Sequence, residues 1–219
     1  PDPVGLLAQY TFEDGTLADS VGDNDLTGHG TAAVVDDPER GKILRLDGSN
    51  GGYAAFPTGF FDGRDELTLS FDMRSDRSSG NFFSFALGKD SDRYYFLRTR
   101  GGEVRSAITA SSWQNESAVT GAVSPGEWHS YDVVLDGRTM AVYVDGVKLG
   151  ENDALGASVS DLGTDLVGYL GRSLYAADGY FAGAFDDVRI HDRALTADEL
   201  LGTDQLLDVS LATPDVLKV

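Results

Sequence analysis

Leu67-Thr68-Leu69-Ser70-Phe71-Asp72-Met73-Arg74 alternates apolar and polar side chains without a break. A β-strand points successive side chains to opposite faces, so this stretch offers Leu67, Leu69, Phe71 and Met73 to a core and Thr68, Ser70, Asp72 and Arg74 to the other side. A helix would scatter the same residues around its circumference. The period predicts a strand with one buried face, the kind that pairs antiparallel with its neighbours.

The same rhythm runs outward in both directions. Towards the N-terminus it recurs in Tyr53-Ala54-Ala55-Phe56, Ile43-Leu44-Arg45-Leu46, Ala32-Ala33-Val34-Val35 and the Leu6, Ala8, Tyr10, Phe12 series. Towards the C-terminus strands are predicted over 82–87, 94–100, 103–109, 129–135, 140–144, 166–171 and 180–191. Asp136-Gly137 and Asp145-Gly146 are turn dipeptides that reverse a chain between antiparallel strands. More than ten short strands in 219 residues predict an all-β, two-sheet antiparallel jelly-roll sandwich. Helix is predicted at one place, where Thr196 and Glu199 form a capping box and Gly202 is a stop. The expected organisation is a tail or linker over 1–5, one jelly-roll domain over 6–202, and a linker or extra strand over 203–219.

Composition bounds the function. Glycine is frequent (27) and proline scarce (6), as many strands and tight turns require. Seventeen Lys plus Arg against 36 Asp plus Glu give a net charge of −19, which argues against nucleic acid and anionic membranes as partners. Cysteine is absent, so disulfides, thiol catalysis and Cys-rich zinc sites are excluded. No stretch approaches the roughly 20 apolar residues that span a bilayer. The start, Pro1-Asp2-Pro3-Val4, lacks a basic and apolar leader, so any signal peptide is expected to lie outside this chain. Arg outnumbers Lys 13 to 4, a bias expected of a GC-rich bacterial source.

Three stretches together resemble the laminin-G-like, concanavalin A-like jelly rolls of bacterial carbohydrate-active proteins. They are Tyr10-Thr11-Phe12-Glu13-Asp14-Gly15 with Ala18-Asp19-Ser20 and Gly22-Asp23-Asn24-Asp25, then Trp128-His129 leading to Val142-Tyr143-Val144-Asp145-Gly146, then Phe185-Asp186-Asp187-Val188-Arg189-Ile190-His191-Asp192-Arg193-Ala194-Leu195. The resemblance spans 6 to about 202. It implies two antiparallel sheets, a face or rim that takes a glycan, a structural calcium ion near the joined termini, and a neighbouring hydrolase or lyase domain. His191 departs from the family, whose members often carry an aromatic there.

The loop from 13 to 25 holds six hard-oxygen side chains, among them Glu13, Asp19, Asn24 and Asp25, and calcium takes six to eight such oxygens. The alternative is an ordinary acidic surface loop. The resemblance brings Asp186 or Asp187 to the same ion. Period-two alternation puts Asp186 on the inward face with Val188 and Ile190, which favours it over Asp187.

Sugar binding needs flat apolar groups and planar polar ones. Tyr94, Arg98, Arg100, Arg105, Trp113, Gln114 and Asn115 supply that mixture, with Tyr175 and Tyr180 as weaker candidates. The alternative is that Trp113 fills the core and the arginines neutralise nearby acids. Trp128 reads as structural.

No Gly-x-Ser-x-Gly, His-Glu-x-x-His or phosphate-binding glycine loop occurs, and the Glu-x-Asp-x-x-Glu strand of jelly-roll glycosidases is missing. The expected function is a non-catalytic carbohydrate-binding module, secreted or displayed at a bacterial cell surface, without membrane insertion, and covalently linked to a glycan-degrading catalytic domain. Arabinan, galactan and fructan are open as its polysaccharide. The rivals are an adhesion or protein-interaction module and a polysaccharide-cleaving enzyme of the same fold.

Overall fold

A computed structural model describes residues 5–49, 51–77 and 82–202. The fifteen strands in chain order are β1 (Leu6–Tyr10), β2 (Thr27–His29), β3 (Ala33–Asp37), β4 (Gly41–Asp47), β5 (Tyr53–Ala55), β6 (Glu66–Ser75), β7 (Phe82–Asp90), β8 (Arg93–Arg100), β9 (Glu103–Thr109), β10 (Ser117–Ala122), β11 (Trp128–Asp136), β12 (Thr139–Val144), β13 (Val147–Asn152), β14 (Val167–Leu170) and β15 (Ala182–His191). They form an eight-stranded sheet in the order β13-β12-β11-β6-β15-β4-β3, with β1 also on β15, and a seven-stranded sheet in the order β10-β9-β8-β7-β14-β5-β2. All described pairings are antiparallel, so the two sheets form the predicted sandwich.

Strand β6 sits at the centre of the larger sheet with Leu67, Leu69, Phe71 and Met73 fully buried. Across the core the rings of Phe56, Phe61, Phe71, Phe85 and Phe185 meet mostly edge to face at 5.2–6.5 Å. Such pairs add about 0.5–1.5 kcal/mol each beyond their buried area. On one side β10 and β13 approach closely, because a Cβ on Gly121 would stand 2.4 Å from Leu149. Asp145 (φ 52°) and Gly146 (φ 72°) are both left-handed, the backbone that a two-residue hairpin turn requires, and they join β12 to β13. Thr196 and Glu199 cap the helix over 197–202 reciprocally, with Thr196 N–H donating to Glu199 at 2.8 Å and Glu199 N–H donating to Thr196 at 3.4 Å.

Three strands escape the sequence reading, β2, β10 and β13, and each is the last strand at a sheet edge. An edge strand pairs on one side only and buries little, so Thr-Gly-His and Ser-Ala-Val-Thr-Gly-Ala carry a weak pattern. The segment 203–219 lies outside the described residues.

Candidate functional site

The seven-stranded sheet gives Ala54, Phe85, Leu97, Val104, Ile108 and Leu170 to the core, so their neighbours along each strand face outward. Register aligns Thr27, Ala55, Tyr169, Ala86, Phe96, Ala107 and Ala118 in one row across that outer face. The four alanines keep the middle of the face low, and aromatic side chains rise beside them. Over β7 and β8 the row is covered: Leu174 and Tyr175 pack on a satellite cluster of Phe83, Ala86, Tyr94, Phe96 and Ala107. Phe83, Tyr94, Phe96, Leu174 and Tyr175 line a shallow recess there, with room for little more than one water molecule.

On the β2–β5–β14 side of this cover lies an uncovered aromatic group. His29 stacks on Tyr53 (4.4 Å between centroids, 11° between planes), Tyr169 meets Tyr53 edge to face at 5.3 Å, and Tyr180 lies 6.1 Å from Tyr53. The Arg172 guanidinium is 4.8 Å from the Tyr53 ring centre and 4.9 Å from that of Tyr169. All five side chains are half-buried. No carboxylate pairs with Arg172 among the described residues. Burial raises the Tyr169 hydroxyl above its ordinary value, against the pull of Arg172, so it stays protonated and can donate. Rigid rings, an unneutralised planar donor and neutral phenols can hold the C–H face and hydroxyls of a sugar.

Of the sugar-binding residues expected from the sequence, Trp113 is 64% exposed, on a 3₁₀ turn (Trp113–Asn115) that also carries Gln114 and Asn115, so it does not fill the core. Tyr94 corrects the expectation of an exposed ring, being 3% exposed. Its hydroxyl donates to Glu116 at 2.7 Å, Glu116 also accepts from Arg105 at 2.6 Å, and the Tyr175 hydroxyl, which donates to the Ser91 carbonyl at 2.6 Å, lies 3.4 Å from that of Tyr94. Burial, with Tyr175 and Glu116, pushes the Tyr94 hydroxyl far above its usual range. Arg98 pairs with Glu103 at 3.0 Å, and Arg100 is exposed. The structure therefore brings Tyr94, Arg105 and Tyr175 together, while His29, Tyr53, Tyr169 and Arg172 were missed. Tyr53 and Tyr169 alternate with buried residues in their own strands, and the strand order makes them neighbours.

The acidic residues divide into three places. Asp19 Oδ1 accepts the N–H groups of Gln9 (3.0 Å) and Val21 (3.1 Å), Asp19 Oδ2 accepts from Asn24, and Asp25 accepts the Asp19 N–H at 2.9 Å. Glu13 accepts the Lys42 N–H at 3.3 Å. Asp186 faces outward, not inward as the alternation suggested, because a bulge between Asp186 and Arg189 interrupts the period. Its carboxylate lies 3.3 Å from Arg40, which also pairs with Asp72, and burial raises it to about 6. Asp187, at φ 45°, instead accepts from the Gln9 side chain at 3.2 Å and lies 3.4 Å from Arg189. Through Gln9 the loop and the last strand meet, with Asp187 and not Asp186 on the loop's side. Among the described residues no three His, Cys, Asp or Glu side chains converge as a metal shell. Glu13 and Asp186 have other partners, Asp19, Asn24 and Asp25 are joined by hydrogen bonds, and Asp187 is linked to that loop only through Gln9.

This architecture has relatives. The chain is 31% identical over 210 residues to an α-L-arabinofuranosidase of Bifidobacterium longum subsp. longum, an alignment that covers 85% of the chain and 20% of that enzyme. The chain therefore spans about a fifth of that relative's length. Domain 4 of AbnA, an extracellular GH43 arabinanase from Geobacillus stearothermophilus solved in complex with arabinotriose, superposes with a TM-score of 0.76 at 22% identity, covering 92% of this chain and 98% of that domain. The receptor-binding domain of botulinum neurotoxin type G superposes with a TM-score of 0.71 at 13% identity, over 93% of this chain and 51% of that one. At these identities the two structures speak to fold alone. A laminin-G family model matches residues 47–201, and the chain belongs to the concanavalin A-like lectin/glucanases superfamily.

Proposed function

We propose that this domain binds a neutral oligosaccharide on the outer face of its seven-stranded sheet without cleaving it, as the anchoring part of a larger extracellular glycan-degrading enzyme. The Tyr53–Tyr169–Arg172 group carries the reading. Aromatic side chains take the C–H side of a sugar, and a guanidinium with no acid partner among the described residues offers a fork of donors to its hydroxyls. The net charge of −19 favours a neutral glycan over an anionic one. The kinship with an arabinofuranosidase, and with a fold seen holding arabinotriose, makes arabinan the first polymer to test, with galactan and fructan as controls. Tethered to a catalytic domain, such a module raises the local concentration of enzyme on its polymer.

Calorimetric titration with arabino-oligosaccharides tests this. Tyr53→Ala and Tyr169→Ala should each weaken binding by about 1–3 kcal/mol, the loss expected when an anchoring aromatic is truncated. Unchanged affinity in both variants would overturn the site, and shortening of the polymer by the isolated domain would overturn the non-catalytic role.

A structural calcium ion belongs to the same reading, with Asp19, Asn24 and Asp25 of the loop and Asp187 across Gln9 as its ligands; these side chains do not converge as they stand, so the ion would have to draw them together. Its support is the meeting of loop and strand at Gln9 and the left-handed backbone of Asp187, a conformation that non-glycine residues keep where the surroundings impose it. Such an ion would bind hard oxygens and hold the first and last strands together.

A further inference from the structure

The uncovered aromatic group occupies only one end of the outer face. At the far side of the sheet, on the turn that joins β9 to β10, Trp113 is the only aromatic among the exposed large hydrophobic residues described, and it belongs to none of the buried clusters. Its turn is held in shape: Thr109 Oγ1 accepts the N–H groups of Ser111 and Ser112 and donates to the Ser112 carbonyl at 2.9 Å, and Asn115 donates to Ser111 at 3.1 Å. An indole left in water on a braced turn adds nothing to the core. The turn leads directly into Glu116, whose side chain is only 13% exposed and is fixed by Tyr94 and Arg105.

We infer that Trp113, with the Arg105–Glu116–Tyr94 network behind it, is a second saccharide contact, so that the module grips one neutral polysaccharide chain at both ends of this face. The inference rests on the carbohydrate-binding reading and adds the length of ligand that the face selects. From β5, which carries Tyr53, to β9, which ends at the Trp113 turn, there are four strand steps. At about 4.8 Å per step this is roughly 19 Å, more than two linked sugar rings extend. The alanine row runs in that direction, across the strands, and the 173–175 cover interrupts it midway. A short ligand therefore occupies one end, and a long one reaches both. The second contact of a tethered chain is intramolecular, and strengthens binding without new chemistry at the first.

The experiment compares arabinotriose with soluble arabinan polymer on the wild-type domain, Trp113→Ala, Trp113→Phe and Tyr53→Ala. Trp113→Ala should keep its trisaccharide affinity within about twofold and lose at least about tenfold on the polymer, a modest part of the gain that two linked contacts give. Trp113→Phe should restore most of that loss, and the melting temperatures should agree. Polymer affinity unchanged in Trp113→Ala, with binding lost in Tyr53→Ala, would overturn the second contact alone. Failure of the wild type to bind either probe would overturn both readings.

Discussion

The outer faces of the two sheets use aromatic residues in opposite ways. On the eight-stranded sheet Trp128 is covered by guanidinium groups, Arg40 at 4.4 Å and Arg74 at 5.2 Å from its ring. Those arginines are themselves neutralised: Arg40 by Asp72 and Asp186, and Arg74 by Asp76, which also pairs with Arg45. On the seven-stranded sheet Arg172 lies over Tyr53 and Tyr169 with no acid paired to it among the described residues. The same cation–ring contact is thus a closed structural network on one face and an open one on the other. In a chain with 36 acidic residues against 17 basic ones, an arginine without an acid partner carries more information than another tyrosine. Substitutions on the eight-stranded face should move stability and leave glycan affinity alone, whereas Tyr53, Tyr169 and Trp113 should do the reverse.

The largest stability effect is expected at Arg40. Arg40→Met leaves Asp72 and Asp186, register partners on adjacent strands, without their shared cation. Removing one partner of a buried ion pair costs 3–5 kcal/mol, and partial exposure of this one lowers the expectation to about 2–3 kcal/mol. Urea unfolding at neutral pH measures it. An unchanged midpoint, or weakened glycan binding, would break the division between the faces.

Calcium comes next. With the ion at about a hundred times its dissociation constant, binding to the folded state alone adds about 2.7 kcal/mol, some 5–10 °C in a domain of this size. Thermal scans should show that loss on chelation, and Asp187→Ala should abolish the difference between calcium and chelator. Equal midpoints for the wild type in both conditions would remove the ion from the account.

A smaller, pH-dependent effect is expected from His191. Burial, then the charges of Arg189 and Arg193, lower its imidazole from 6.5 to about 4, and its Nδ1 has no hydrogen-bond partner among the described residues. The unfolded chain takes up a proton near pH 6.5 and the folded one only near pH 4, so this contribution is complete above about 6.5 and lost as the pH falls towards 4. The loss should be on the order of 1–2 kcal/mol after local relaxation. His191→Phe should flatten the stability profile over that interval relative to the wild type. Identical slopes would show that the imidazole adjusts within its site at no cost.

Local sequence determined the strands of the sandwich interior and the helix cap, because burial on one face imposes a period of two and a capping box needs only four residues. It failed where one-sided pairing removes that demand, at the edge strands β2, β10 and β13. At the candidate site it singled out Trp113 from its polar surroundings, and it placed Tyr53 and Tyr169 on strands without assigning either to a face. Tertiary structure alone decided which aromatics share a surface. Tyr53 and Tyr169 are 116 positions apart in the chain and become neighbours because β5 pairs with β14, while Tyr94 disappears beneath the 173–175 segment. It also set Asp186 beside Arg40 and Asp187 beside Gln9, since a bulge shifts the face on which every later side chain of β15 stands. Strand periodicity is a property of a few consecutive residues, whereas a binding face is made by register between strands that the chain visits far apart.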